Sequence, residues 1–344
     1  MVTEEVEPGV LRVVNDGVRD LTPTHSDAEP QAVRVSPDGG VWLFGGFLDD
    51  AVFRLGEPGV YPWPEGADYW GPDVAADVAD VEVGPDGTVW VLGDQPNGLA
   101  AFDGEAWTEW LPPDSPQSDG HRSMEVLSDG TVWATWGWWI SRDITRFDGE
   151  RWTVVEPPCG PLWGMHASDT DSWWVSGLDD GCSSALYRYD GSRWQEQATP
   201  EGFTGTWWYG NRVGPDGTVW VSLRQPPEDW SGDEPLERRT GIARFDGTHW
   251  EEWDADDFPQ EGVENPLTGH FNFEVVAPDG SLWATVDECD GLAHFDGDSL
   301  TRYLPGYCIF SPDTAPDGSL WLVAAEGSSI QDPTGLVSPY VIRP

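Results

Sequence analysis

The chain has 344 residues, with 62 acidic against 17 basic side chains, every basic one an arginine, and a formal net charge of −45 at pH 7. A field of that sign repels phosphate backbones and anionic lipid, so neither nucleic acid nor a membrane surface is expected as a partner. No run reaches the roughly 20 apolar residues that a membrane span needs, and no signal-peptide pattern opens the chain.

Taken from the N-terminus, the acidic opening Val2–Pro8 reads as a boundary at which an upstream signal or anchor was removed. Gly9–Gly17 resembles Gly241–Gly247, a strand running into a turn, and residues 9–21 are assigned to the outer strands of the last repeat. The phrase Asp-Gly-x-x-Trp then recurs at Asp38–Trp42, Asp86–Trp90, Asp129–Trp133, Asp216–Trp220, Asp279–Trp283 and Asp317–Trp321, with a degenerate copy at Thr170–Trp174. Successive tryptophans lie 38 to 63 residues apart, the length of one four-stranded unit. β-type runs flank each copy, and Asp-Gly supplies the positive φ that a tight hairpin needs.

A second turn follows five of the copies: Phe102-Asp103-Gly104, Phe147-Asp148-Gly149, Tyr189-Asp190-Gly191, Phe245-Asp246-Gly247 and Phe295-Asp296-Gly297. Trp107, Trp152, Trp194 and Trp250 stand three residues after four of these glycines. Two hairpins per unit give four strands, and such units bury both faces only by stacking radially. The expected fold is all-β: a seven-bladed β-propeller with four antiparallel strands per blade, the last blade closed by both termini. The repeats run over about 31–63, 79–111, 121–156, 162–198, 207–253, 271–304 and 308–342 plus 9–21, and form a single domain over 1–344. Gly335-Leu336-Val337 also reads as a third strand, so the division of the last blade between the ends stays open. Both tight turns fall on one face of the ring and every long loop on the other. The long insertions Pro62–Asp80, Leu223–Gly241 and Asp254–Asn272 are expected on that loop face.

On these phrases the chain resembles the two-component-regulator-propeller type of repeat and, more loosely, the virginiamycin B lyase-like propellers, which share a Pro-Asp-Gly-x-x-Trp turn. The resemblance covers roughly residues 9–342 and implies architecture. Lyases, sensors, lectins and scaffolds share that architecture, so it implies no one activity.

Cysteine usage bears on the compartment. Cys159 pairs naturally with Cys182, and Cys289 with Cys308, at spacings of 23 and 19 residues on the loop face. A zinc site would want Cys-x-x-Cys spacing, so two disulfides and an oxidising, extracellular or extracytoplasmic setting are expected. No cofactor is called for. Calcium is the one ion that acidic loops such as Asp49-Asp50, Asp179-Asp180 and Asp287-Glu288-Asp290 would suit, although they lack an EF-hand rhythm.

Of the 23 tryptophans, the periodic ones read as packing between blades. Trp138, Trp139, Trp163, Trp207 and Trp208 are not periodic, and aromatic rings on a loop face suit stacking on sugars or gripping a protein. His121, His166 and His270 fall at or near the start of innermost strands, with Arg122 and Arg212 in comparable positions near the channel mouth. The candidate ligand-binding set is therefore those five tryptophans with Arg122, Arg212, His121 and His270, and no catalytic residue is assigned.

No nucleophile-elbow, zinc-protease or phosphate-loop pattern occurs. The function expected is an extracytoplasmic, sensor-type propeller that binds a protein, a neutral small molecule or a glycan on its loop face, as a monomer. One alternative is a lyase or glycan-active enzyme with its site at the top of the central channel. The other is a structural module of a larger receptor.

Overall fold

A computed structural model describes residues 1–15, 21, 32–45, 51–59, 61–62, 78–93, 99–110, 121–127, 129–136, 143–158, 162–169, 172–177, 185–197, 207–224, 240–254, 271–286, 289–327 and 337–343. Among these the chain forms strands and no helix. Six sheets are four-stranded and antiparallel, each made of consecutive strands. In the second, for example, Val78–Val83, Val89–Gly93, Leu99–Phe102 and Trp107–Trp110 lie side by side. The first strand of each sheet is innermost and meets the first strands of its neighbours, which makes the fold a propeller.

The repeat predicts identical four-stranded blades throughout, and the sheet that carries both chain ends departs from that. It has five strands, in the order Val2–Glu7, Val10–Asn15, Ser338–Ile342, Leu320–Glu326, Tyr307–Thr314. Ser338–Ile342 takes the third place, just beyond the Gly335–Val337 segment read as a strand. Val10–Asn15 joins it through the pairs Val10↔Ile342, Leu11↔Val341 and Arg12↔Tyr340. The acidic opening Val2–Glu7 is thus a strand. Gly9 at φ +81° turns the chain back, and Arg12 holds Glu4 across the extra pair at 2.5 Å.

The hairpins follow from the chemistry of the repeated phrase. In the first, Gly39 N–H donates to Ser36 C=O at 2.8 Å and Gly39 lies at φ +81°, while Asp38 stays at negative φ. This is a four-residue turn closed by a left-handed glycine, a longer loop than a two-residue hairpin. The aspartate caps it: Asp38 Oδ1 accepts from Gly40 N–H, and Asp86, Asp129, Asp216, Asp279 and Asp317 accept from the residue two ahead in the same way. In the outer hairpins Asp103, Asp148, Asp190, Asp246 and Asp296 each accept two backbone N–H groups. Hydrogen bonds stabilise the ionised carboxylate, so Asp190, held first by the Ser192 hydroxyl and then by the Arg193 and Ser192 N–H groups, and Asp246, held first by His249 N–H and then by the Thr248 hydroxyl, lie below the usual range. Part of the large negative charge is therefore turn structure.

The two phrases interlock between neighbouring sheets. Trp42 meets Phe102 at 6.5 Å between centroids, Trp133 meets Tyr189 at 6.1 Å, and Trp220 meets Phe295 at 5.7 Å, each pair edge-on and each across a sheet boundary. The second tryptophan series packs back on its own turn, as in Phe102–Trp107 at 5.1 Å and Phe245–Trp250 at 4.8 Å. Trp220 and Trp283 are fully buried, whereas Trp250 is half-buried.

Because Trp220 fills a closed interface, Trp220→Ala is expected to lower the unfolding free energy by about 3–5 kcal/mol. Trp250→Ala should cost clearly less. Equal losses in denaturant titrations of the two variants would contradict the interlock.

Candidate functional site

The innermost strands surround a cavity of about 460 Å³ on the propeller axis, and every sheet contributes to its lining. The contributing positions obey a rule. Arg34, Glu82, Glu125, His166, Arg212, Val275 and Asp313 each stand eight residues before a repeat tryptophan. Each is also the cross-strand partner of that tryptophan: Arg34↔Trp42, Glu82↔Trp90, Glu125↔Trp133, His166↔Trp174, Arg212↔Trp220, Val275↔Trp283 and Asp313↔Trp321. In the sixth sheet a register shift between Phe273 and Val275 brings Glu274 into the lining as well.

One pole of the cavity centres on Arg34. Its guanidinium lies 3.1 Å from Asp80 and 3.3 Å from Glu82, and donates to Val33 C=O and to Ser311 Oγ. Asp313 completes the group and accepts Val35 N–H at 2.7 Å, joining the terminal sheet to the first. Asp80 likewise accepts Met124 N–H of the next sheet at 2.7 Å. Three carboxylates here share one guanidinium. Burial pushes Asp80 and Asp313 up and Glu82 well above its ordinary range, with Arg34 pulling against the shift in each case.

The other pole centres on Arg212. Its Nε donates to Glu274 C=O at 2.7 Å, and one terminal nitrogen donates to Asn211 C=O at 3.0 Å and to His166 Nε2. An arginine cannot accept, so His166 Nε2 is the acceptor and its proton sits on Nδ1, which donates to Glu125. Burial first, then the charge of Arg212, pushes His166 down from its ordinary value, against the pull of Glu125. The imidazole is a neutral spacer between sheets. The Glu274 carboxyl turns away to accept from Thr285 Oγ1 at 2.9 Å, and burial pushes it up.

Of the residues proposed from the sequence, Arg212 lines this cavity, near the turn end of Trp207–Val213. Trp207 and Trp208 open that strand, Trp163 is second in Leu162–Asp169, and His121 and Arg122 open His121–Val126, all at the loop end. Trp138, Trp139 and His270 lie outside the described residues, as do Cys159, Cys182, Asp49, Asp50, Asp179, Asp180, Asp287 and Glu288, whereas Asp290 is described and pairs with Arg302. Cys289 and Cys308 form the expected disulfide, which ties the sixth sheet to Tyr307–Thr314, the innermost strand of the terminal one. Arg34, Asp80, Glu82, Glu125, Glu274 and Asp313 were not singled out by motif. The constant offset from the tryptophans is the signal that finds most of them. Among the described residues, no group of three or more His, Cys, Asp or Glu is arranged to hold a metal ion.

Two titrations should move stability in opposite directions. The folded value of Glu82 is raised, so its contribution is held at low pH and lost as the pH rises through that value. The advantage of Glu82→Gln over wild type should therefore grow with pH. The folded value of His166 is lowered, so its contribution is held above the unfolded value of about 6.5 and lost as the pH falls below it. The advantage of His166→Gln should grow between about pH 6.5 and 5. Urea unfolding across pH 5–8 checks both signs.

No protein-family model matches the chain, and no curated protein matches it by sequence. Solved structures do match. A catalytically inactive virginiamycin B lyase from Staphylococcus aureus with quinupristin aligns at TM-score 0.60 and 15% identity, over 94% of this chain and 99% of that one. YCF48 bound to D1 peptide aligns at TM-score 0.60 and 15% identity over 100% of both chains. The extracellular domain of the putative hybrid two component system BT3049 from B. thetaiotaomicron aligns at TM-score 0.56 and 10% identity, over 94% of this chain and 40% of that one. At such identities the likeness is one of fold. Both propeller types that the repeat resembles, the lyase-like and the two-component sensor type, are among these structural neighbours.

Proposed function

We propose that this chain is an extracytoplasmic binding propeller of the sensor type, a ring of seven blades in which the five-stranded sheet acts as the seventh. Its ligand or peptide partner is taken at the central channel and the loop face. The observation that carries the reading is the state of His166. It is the one imidazole lining the cavity among the described residues, and both its nitrogens are engaged, by Glu125 and by Arg212. A general base needs a free nitrogen directed at substrate. A charged cavity whose imidazole is locked suits recognition better than proton transfer.

Two further observations support it. The Cys289–Cys308 disulfide fits an oxidising compartment, and Cys159–Cys182 belongs to the same reading. Trp207, Trp208, Trp163, His121 and Arg122 start inner strands at the loop end, where chain length is free to vary and a partner can be gripped. That YCF48 was solved with a bound peptide shows that the architecture admits a peptide partner.

The reading is tested by a thermal-shift screen of amino acids, short peptides and sugars. It expects a saturable ligand whose binding is weakened by the pair Trp207→Ala and Trp208→Ala. Incubated with quinupristin, the protein should leave the compound's chromatographic retention and fragmentation spectrum unchanged. A new product, isomeric or cleaved, would favour the enzyme instead. Replacing Cys289 and Cys308 together by serine should lower the unfolding free energy by about 3 kcal/mol. In the native wild type both thiols should resist alkylation until reduced.

A further inference from the structure

The two poles of the channel cavity are not equivalent, and the difference selects a ligand. Arg212 makes its three bonds to neutral acceptors, namely two backbone carbonyls and the unprotonated nitrogen of His166. Among the described residues no carboxylate comes within ion-pair reach of it. Glu274, next in the lining, supplies its backbone oxygen and directs its carboxyl to Thr285. A guanidinium with no carboxylate in contact, felt only at longer range by Glu274, keeps its second terminal nitrogen with two N–H donors uncommitted among these residues, and that nitrogen is an anchor for a carboxylate.

The Arg34 pole has the opposite imbalance. Asp80, Glu82 and Asp313 face one guanidinium, which is already committed to Asp80, Glu82, Ser311 and Val33. The backbone is held in an unfavourable form to keep this arrangement. Ser311 lies at φ +44° within the bulge between Phe310 and Asp313, and that bulge brings the Ser311 hydroxyl to Arg34 and Asp313 to the cavity. Glu82 keeps 32% of its side chain accessible. An ammonium group, with three donors and no acceptor, would complete this pole.

We infer that the channel cavity takes a small zwitterion of the amino-acid or short-peptide class, with its carboxylate on Arg212 and its ammonium among Asp80, Glu82 and Asp313. This rests on the reading of the channel as a binding site. A simple anion would meet the acidic pole and a simple cation would meet Arg212, so each leaves one pole uncompensated. The volume of about 460 Å³ limits the ligand to a few residues.

Calorimetry on the intact chain with triglycine, triglycine amide and N-acetyltriglycine tests the inference. Triglycine should bind saturably at one site, and each capped probe at least about tenfold more weakly, the loss of one charge-assisted contact. Arg212→Gln should erase the preference for the free acid over the amide, and Arg212→Lys should retain part of it. Glu82→Gln with Asp313→Asn should erase the preference for the free amine over the acetylated probe. Equal binding of capped and uncapped probes by wild type overturns the inference, and that comparison needs no variant to fold. Multi-site binding abolished by salt also overturns it, as adsorption to the acidic surface. If triglycine fails while another ligand binds and is lost in the Arg212 variants, this inference falls and the binding reading stands.

Discussion

The contact on which everything else depends is the tryptophan of one sheet against the aromatic ring of its neighbour's outer turn. A four-stranded antiparallel sheet has two apolar faces and cannot be stable alone in water. Trp42 on Phe102, Trp133 on Tyr189 and Trp220 on Phe295 remove that difficulty by burying each face on the next sheet. The contact also sets the angle between sheets, and hence how close the innermost strands come to the axis. The channel is a by-product of this packing. Its width is set by rings that never touch it.

The same tryptophans fix which side chains face the channel. Each is paired across the first hairpin with one residue of the innermost strand, so the spacing of eight residues is a structural constant of the turn. Evolution of the lining can proceed at those positions without disturbing the interlock. They hold arginine, glutamate, histidine, valine and aspartate, while the tryptophans do not vary.

The architecture was legible in the sequence because turn chemistry is local: Asp-Gly at fixed offsets from Trp announces its own hairpin. The Cys289–Cys308 bond was legible for a related reason, since two short spacings on one face leave few sensible partners. The fifth strand was not. Val2–Glu7 is acidic and looks unsuited to a sheet, and its place follows from Gly9 and from Arg12 reaching Glu4. The channel set was only partly legible. Arg212 and His166 stood out as types, but Arg34, Asp80, Glu82 and Asp313 are ordinary charges in a chain full of them. What distinguishes them is that several innermost strands converge, which no local pattern encodes.

The way the chain ends are joined has a mechanical consequence. Val10 lies opposite Ile342 and Leu11 opposite Val341, while Val2 lies opposite Asn15, so the chain enters the sheet at Val2 and leaves it at Ile342 at opposite ends of the strands. Tension applied between the two chain ends would load the hydrogen bonds of these outer strands together, in shear, and not one after another as a zip opens. The Cys289–Cys308 bond lies elsewhere and adds nothing to that resistance. A propeller pulled by its ends should therefore hold its outer strands until the force is high.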